Sequence, residues 1–392
     1  MDIAVLGAGA SGIAAAIAAA RAGASVTIYE HRESAAKKIL ITGNGKCNFS
    51  NVRIDETCFH SSTDAGKRTG RFLERFGIKE CLLFFESLGV KHRERKGGIY
   101  PYSDTAESVR AALLLELKRL GVSVIYNCGE PDVTPELLVN GRRYDRVILS
   151  CGSLVSPKTG SDGSGYKLLK RLGVQLTPVY PALTPLIVKE ELSMLKGVRC
   201  DARLSLLDDS GSLIEKSEGE LQPYEGGFSG ICAMDISGMA CRVMGEGRRA
   251  LVEVDYFPLL SDEGFAGEIR RRREEFPERN LPELLTSLFP IKLIRYLSHP
   301  VDTRREDWTE ALCRNVKHHR YELDPVMTGD FSRAQTAAGG VPMTAVDDHC
   351  MLKEQPGIYV TGELLDTDGI CGGYNLHFAW MTGIIAGESA SC

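Results

Sequence analysis

Three glycines and one acid near the start of the chain have the types and spacing for holding a phosphate-bearing ligand. Gly7, Gly9 and Gly12 form G-x-G-x-x-G in "GAGASG", and Glu30 follows 18 residues after Gly12. A glycine at each of these points permits a tight turn, a backbone approach to a pyrophosphate and close helix–strand packing. Ala10 and Ser11, between the last two glycines, would open a helix whose free N–H groups face the anion. The Glu30 carboxylate can accept hydrogen bonds from ribose hydroxyls, and it repels a 2′-phosphate, so NADP is not expected in this particular site. At the other end of the chain "DTDGICGG", 366–373, packs three glycines into eight residues directly before an apolar run with helical spacing. That pattern brings a helix start, with its positive dipole end, close to a bulky partner.

The elements needed to position these residues are legible around them. Residues 3–6 read as a buried parallel strand. An alanine-rich helix is predicted from about Ser11 to Ala22, ended by Gly23, and "SVTIYE" is a second strand with Glu30 at its C-terminal end. "AESVRAALLLELKRLGVSVIY" at 106–126 is an amphipathic helix followed by a strand, and "YDRVILSCGS" is a further strand running into a glycine turn at Gly152. Between Glu30 and Asn51 lies a long loop, "HRESAAKKILITGNGKCNFSN", with glycines at 43 and 45 and basic residues at 37, 38 and 46. It suits an extended polyanionic cofactor better than a further strand–helix unit. "GSDGSG" at 160–165 has fingerprint-like spacing, but no strand leads directly into it, so it reads as a helix start rather than a second nucleotide site.

The fold class is therefore α/β: a Rossmann-like dinucleotide-binding domain, read as FAD-binding because the long loop replaces the next strand–helix unit of a simple NAD dehydrogenase, with an inserted β-rich plus helical substrate domain. Residues 1–182 are its first part and 336–392 its C-terminal part. The insertion spans 183–335, β-rich by alternation at 183–260 and helical at 261–330, with "PELLTSLFPIKLIRYLS" broken at Pro290.

Composition narrows the function classes. Of 392 residues 43% are apolar and 25% charged, and the net charge is −5. That balance gives no electrostatic reason to expect a nucleic-acid or anionic-membrane partner. The run "EIRRRREEF" at 268–276 is flanked by glutamates and reads as a solvated helix face. No apolar stretch is long enough to span a bilayer. Asp2 stands where a signal peptide would carry basic residues, and twelve scattered cysteines contain no C-x-x-C. Reduced thiols in a cytoplasmic protein are the expectation. "HH" at 318–319 lacks ligand-like partners, and no metal site is predicted.

The combination of "GAGASG", "KKILITGNGKCNFSN" and "GELLDTDGICGGYNLHFAW" resembles a family of prokaryotic FAD-dependent proteins, often described only as NAD(P)/FAD-dependent oxidoreductases. It includes enzymes described as aminoacetone oxidases and dehydro-bile-acid reductases. The resemblance runs along nearly the whole chain, through "VILSCGS", "TGSDGSGYKLLKRLG", "PALTPL", "GGFSG" and "TAAGGV". More distantly the pattern is similar to the glutathione-reductase-like flavoproteins, fumarate reductases among them.

The resemblance implies FAD held by both ends of the chain. Gly7, Gly9, Ala10, Ser11, Gly12, Glu30 and His31 fall at the ADP half, with Gly129 toward the adenine and Gly152 at the next strand end. Lys37, Gly45, Cys47 and Asn48 fall in the loop beside the cofactor, with Cys47 and Asn48 near flavin N5. Gly362 and Glu363 fall at the ribityl chain, and Gly372, Gly373, Tyr374 and Asn375 at the flavin pyrimidine edge. Cys47, Asn48, Ser229 and Tyr374 are the catalytic candidates, Tyr374 as a proton donor and Ser229 on the substrate side. His377 is expected to be a packed or hydrogen-bonded histidine.

The implied activity is hydride transfer through flavin N5, from transiently bound NAD(P)H to an unsaturated or carbonyl small molecule. Three alternatives stay open: an amine or aminoketone oxidase using oxygen, a flavin-dependent RNA-modifying enzyme, and a non-catalytic FAD-binding regulator. The oligomeric state is not legible.

Overall fold

Four hydrophobic residues, Ile3–Leu6, make the centre of a parallel sheet because they are apolar on both faces and flanked by residues that turn the chain. The computed structural model describes residues 1–63 and 67–392. In the sheet the strand Asp2–Leu6 lies between Ser25–Tyr29 and Arg146–Leu149; Ser123–Ile125 and Ile358–Val360 form the two edges. All four pairings are parallel, with Asp2 opposite Ser25, Ile3 opposite Arg146, Thr27 opposite Ser123 and Val147 opposite Ile358. This order brings the first strand and an element near the end of the chain into one sheet, separated by a single strand.

The alanine-rich helix spans Ala10–Arg21, with Ala22 as its C-cap, and Ser11–Ala19 are all buried. Its small side chains are explained by a second helix, Tyr374–Ala390. A Cβ on Gly383 would fall 2.3 Å from the Ser11 carbonyl oxygen, and one on Gly387 would fall 2.2 Å from that of Ala15. Glycines four residues apart on one helix thus face small residues four apart on the other, and the backbones meet. The helix Ala106–Arg119 starts at Thr105, whose hydroxyl accepts from the Ser108 N–H. Its buried Glu116 binds Arg21 and Arg119. The chain from 127 to 143 carries a small hairpin, Leu138–Val139 with Arg142–Arg143.

The chain divides into two compact units, Met1–Val179 with Gln335–Cys392, and Tyr180–Ala334. The second unit is built on an antiparallel sheet in the order Leu186–Ile187, Gly227–Ser229, Leu213–Tyr224, Cys200–Asp208, Ala250–Asp255, His319–Glu322. Alternation buries Ala202, Leu204 and Leu206 beneath it, with the helix Ile231–Gly245 supplying Cys232, Ile236 and Ala240 to the same core. Short helices follow, and Pro290 caps Ile291–Ser298 where the sequence placed a break. Among the described residues no helix is long and apolar enough to cross a membrane, and no group of metal-ligating side chains gathers.

Candidate cofactor-binding site

Each fingerprint glycine has a separate steric reason. A Cβ on Gly7 would meet the Ser150 carbonyl oxygen at 2.5 Å, and one on Gly12 would meet the Gly7 carbonyl oxygen at 2.0 Å. Those two glycines pack chain against chain. Around Gly9 nothing lies within 4 Å of the Cβ position, and no side chain caps the helix that starts there. The uncapped helix start and the open space over Gly9 leave room for an anion. Glu30 is buried, and its two carboxylate oxygens accept from the Ala8 and Arg32 N–H groups, each at 2.8 Å. The Cys128 N–H reaches the Glu30 carbonyl at 3.3 Å, which puts Gly129 next to the acid. His31 Nε2 is buried without a hydrogen bond, 3.8 Å from Asp162 Oδ2. Gly152 faces Ser161, whose Oγ would lie 2.7 Å from its Cβ position.

The opposite end is built differently. Gly372 and Gly373 are enclosed by protein: a Cβ on Gly373 would meet the Ser50 carbonyl oxygen at 2.7 Å and Asn48 Oδ1 at 2.8 Å. Gly373 is also the N-cap of the terminal helix at φ +96°, with no side-chain cap. Asn51 Nδ2 donates to the Gly372 carbonyl at 3.0 Å. Asn375 bonds both backbone groups of Gly369, at 2.9 Å and 2.8 Å. Trp380 Nε1 donates to the Phe49 carbonyl.

His377 is fully buried. Its Nε2 lies 3.1 Å from the Phe76 carbonyl, so that nitrogen carries the proton, and Nδ1 accepts from Ser50 Oγ at 2.8 Å. Burial pushes its pKa down to about 4. The histidine is therefore packed and hydrogen-bonded, as its place inside the helix suggested. Tyr374 is buried, with its ring edge against Phe59.

The loop that provides this clamp bends through left-handed residues at Gly43, Asn44, Gly45 and Cys47. Cys47, a catalytic candidate by sequence, is a core residue. It is fully buried, and burial pushes its thiol up to about 12, so no thiolate forms near neutral pH. Asn48 sits among Gly43, Gly98 and Gly373, and its buried Oδ1 has no hydrogen-bond partner. Ser229 lies in the second unit and donates to the Gln222 carbonyl of the neighbouring strand.

Lys37 pairs with Glu33 at 2.7 Å. The neighbouring lysine turns to the cofactor elements instead: Lys38 Nζ donates to both oxygens of Glu363, at 2.8 Å and 2.7 Å. Sequence reasoning counted Lys38 only among the basic residues of its loop, and passed over Asn51, Ser153 and Asp366. Asp366 is buried and accepts from Ser62 Oγ at 2.6 Å and Thr63 Oγ1 at 2.9 Å. The density of Asn, Ser and Asp in "NFSN" and "DTDG" was the available signal.

These residues fit FAD. The space over Gly9 is free of protein atoms, as a pyrophosphate there would require, and Glu30 retains lone pairs for hydroxyls. Asn48 Oδ1 is an acceptor awaiting a donor, and a flavin edge carries an N–H between two carbonyls. A parallel sheet with this fingerprint and a returning C-terminal helix defines the class as a Rossmann-like dinucleotide-binding fold. The chain belongs to the HI0933-like family, whose Rossmann domain matches residues 1–389.

The chain is 39% identical to the 3-dehydro-bile acid delta(4,6)-reductase of Clostridium scindens, over 99% of this chain and 98% of that protein. It is 24% identical to the ribosomal RNA dihydrouridine synthase of Haemophilus influenzae, over 99% and 98%. Among solved structures it resembles the 3-ketosteroid-delta4-(5alpha)-dehydrogenase of Rhodococcus jostii RHA1, with a TM-score of 0.51 at 15% identity, covering 100% of this chain and 96% of that one.

Proposed function

We propose that this chain is an FAD-dependent oxidoreductase that reduces a carbon–carbon double bond conjugated to a carbonyl in a small molecule, with NAD(P)H as hydride donor. The observation that carries the reading is the 39% identity, across 99% of the chain, to a reductase of 3-dehydro-bile acids. The second relative supports the same bond chemistry, since dihydrouridine forms by reduction of a double bond conjugated to a carbonyl. Bound FAD supplies two-electron hydride transfer through N5. The net change is one hydride from NAD(P)H and one proton added across the double bond.

The chain's own residues bind and orient. Gly9 and the start of Ala10–Arg21 would receive the pyrophosphate, Glu30 the adenosine ribose, and Glu363 the ribityl hydroxyls. Amides of the helix start at Gly373–Asn375 would stabilise negative charge on the pyrimidine edge, an effect of up to about 2 kcal/mol for a partly buried anion. The net charge of −5 favours a small-molecule acceptor over RNA.

The test is anaerobic reduction of the purified protein by NADH and by NADPH, followed by mixing with acceptors. Release of FAD on denaturation, and reoxidation by a conjugated enone such as a 3-keto-4-ene steroid, are expected. Reoxidation by uridine-containing ribosomal RNA alone would replace this reading with RNA reduction. Reoxidation by oxygen alone would replace it with an oxidase.

A further inference from the structure

Glu363 follows the edge strand Ile358–Val360, whereas Lys38 lies in the loop after Glu30, 325 residues away in sequence. Three segments converge on this one acid. Lys38 Nζ donates to both carboxylate oxygens, Ser153 Oγ donates to Oε2 at 2.7 Å, and Tyr166 OH donates to the Glu363 backbone carbonyl at 2.9 Å. The Lys38 and Glu363 side chains are only 23% and 18% exposed. An exposed ion pair contributes little to stability and needs no such support. A sheltered pair fixes the position of its members, and removing one leaves the other charged and uncompensated.

The placement matters because of what is next to it. Gly362 lies against the fingerprint helix start, where its Cβ position is 2.7 Å from Ser11 Oγ. A dinucleotide bound there brings two negative phosphate charges. Glu30 is compensated by two backbone N–H groups. The cation at Glu363 is Lys38.

We propose that Lys38 is a cofactor-positioning residue: its ammonium holds Glu363 as an acceptor for the ribityl hydroxyls and cancels the carboxylate charge beside the pyrophosphate. Lys38 acts through Glu363 and need not touch the flavin. The inference rests on the reading of this site as an FAD site.

The experiment measures FAD dissociation from the holoprotein for the wild type, Lys38→Met, Lys38→Arg and the double variant Lys38→Met/Glu363→Gln. The melting temperature of each FAD-stripped protein is measured in parallel. Lys38→Met is expected to weaken FAD binding by about tenfold, which corresponds to ~1.4 kcal/mol. Lys38→Arg should stay near the wild type. Adding Glu363→Gln should recover most of the loss, because a neutral amide no longer repels the phosphates.

Wild-type FAD affinity in Lys38→Met overturns the inference. So does a double variant that binds no better than Lys38→Met. A melting-temperature loss with normal FAD affinity in the folded fraction shows a clamp of the fold alone, and also overturns it. A wild type that binds no FAD removes the site reading as well. A wild type that binds FAD but reduces no enone removes only the proposed reaction.

Discussion

The two glycine-rich segments of the first unit use the same residue for different purposes. At Gly9 the space beyond the backbone is open, so the missing side chain leaves room that no protein atom fills. At Gly373 the missing side chain makes room for the protein, because Ser50 and Asn48 fill the Cβ position. The first end is assembled by a local strand–turn–helix. The second is held by a loop from the other end of the chain, through Asn51 on Gly372 and Ser50 on His377. A glycine pair before a helix therefore does not identify a ligand contact. What surrounds the absent Cβ does.

Substitutions can break or sharpen that contrast. The largest effect is expected at Gly12, where a valine Cβ would lie 2.0 Å from a fixed carbonyl. Gly12→Val should lose more than about 4 kcal/mol of stability, read by urea unfolding of the FAD-free protein.

Next comes acid sensitivity at His377. Its pKa is about 4 in the folded chain against an ordinary histidine value of 6.5 when unfolded, so between those values only the unfolded chain takes the proton. Stability is complete above pH 6.5 and falls as the pH drops towards 4, by about 3 kcal/mol in total. Unfolding curves of the wild type and His377→Gln across this range should diverge by that amount; parallel curves would remove His377 as the cause.

Gly373→Val adds a left-handed β-branched residue to a collision with Ser50 and Asn48. A loss of about 2–3 kcal/mol in the FAD-free protein is expected from strain and overpacking. An unchanged melting point with a lowered flavin potential would instead show that the space beside Gly373 is kept for the ligand and would erase the contrast with Gly9.

The smallest effect on the fold is predicted for Gly9→Ala: under about 1 kcal/mol of stability, since the new methyl meets nothing, combined with weaker FAD retention. A destabilised apo-protein with normal FAD affinity would show that the two ends are alike after all.

Short-range pattern made much of the first unit legible. The strand Asp2–Leu6, the helix Ala10–Arg21, Glu30 at the strand end and the helix after Thr105 all follow from periodicity, caps and spacing within a few dozen residues. Those signals exist because each element must satisfy its own backbone and bury its own apolar face locally. The choice between Lys37 and Lys38 had no such signal: adjacent, chemically identical side chains diverge only because the backbone aims one at Glu33 and the other at Glu363.

Tertiary structure alone decided that choice, along with the burial of Cys47, the clamp of residues 48–51 on 372–377, and the capture of Ser62 and Thr63 by Asp366. Each depends on sheet order, with Arg146–Leu149 lying between the first strand and Ile358–Val360, which brings the two ends of the chain together. Contacts between residues so far apart in sequence are fixed by that topology and leave no periodic trace in the residues that make them.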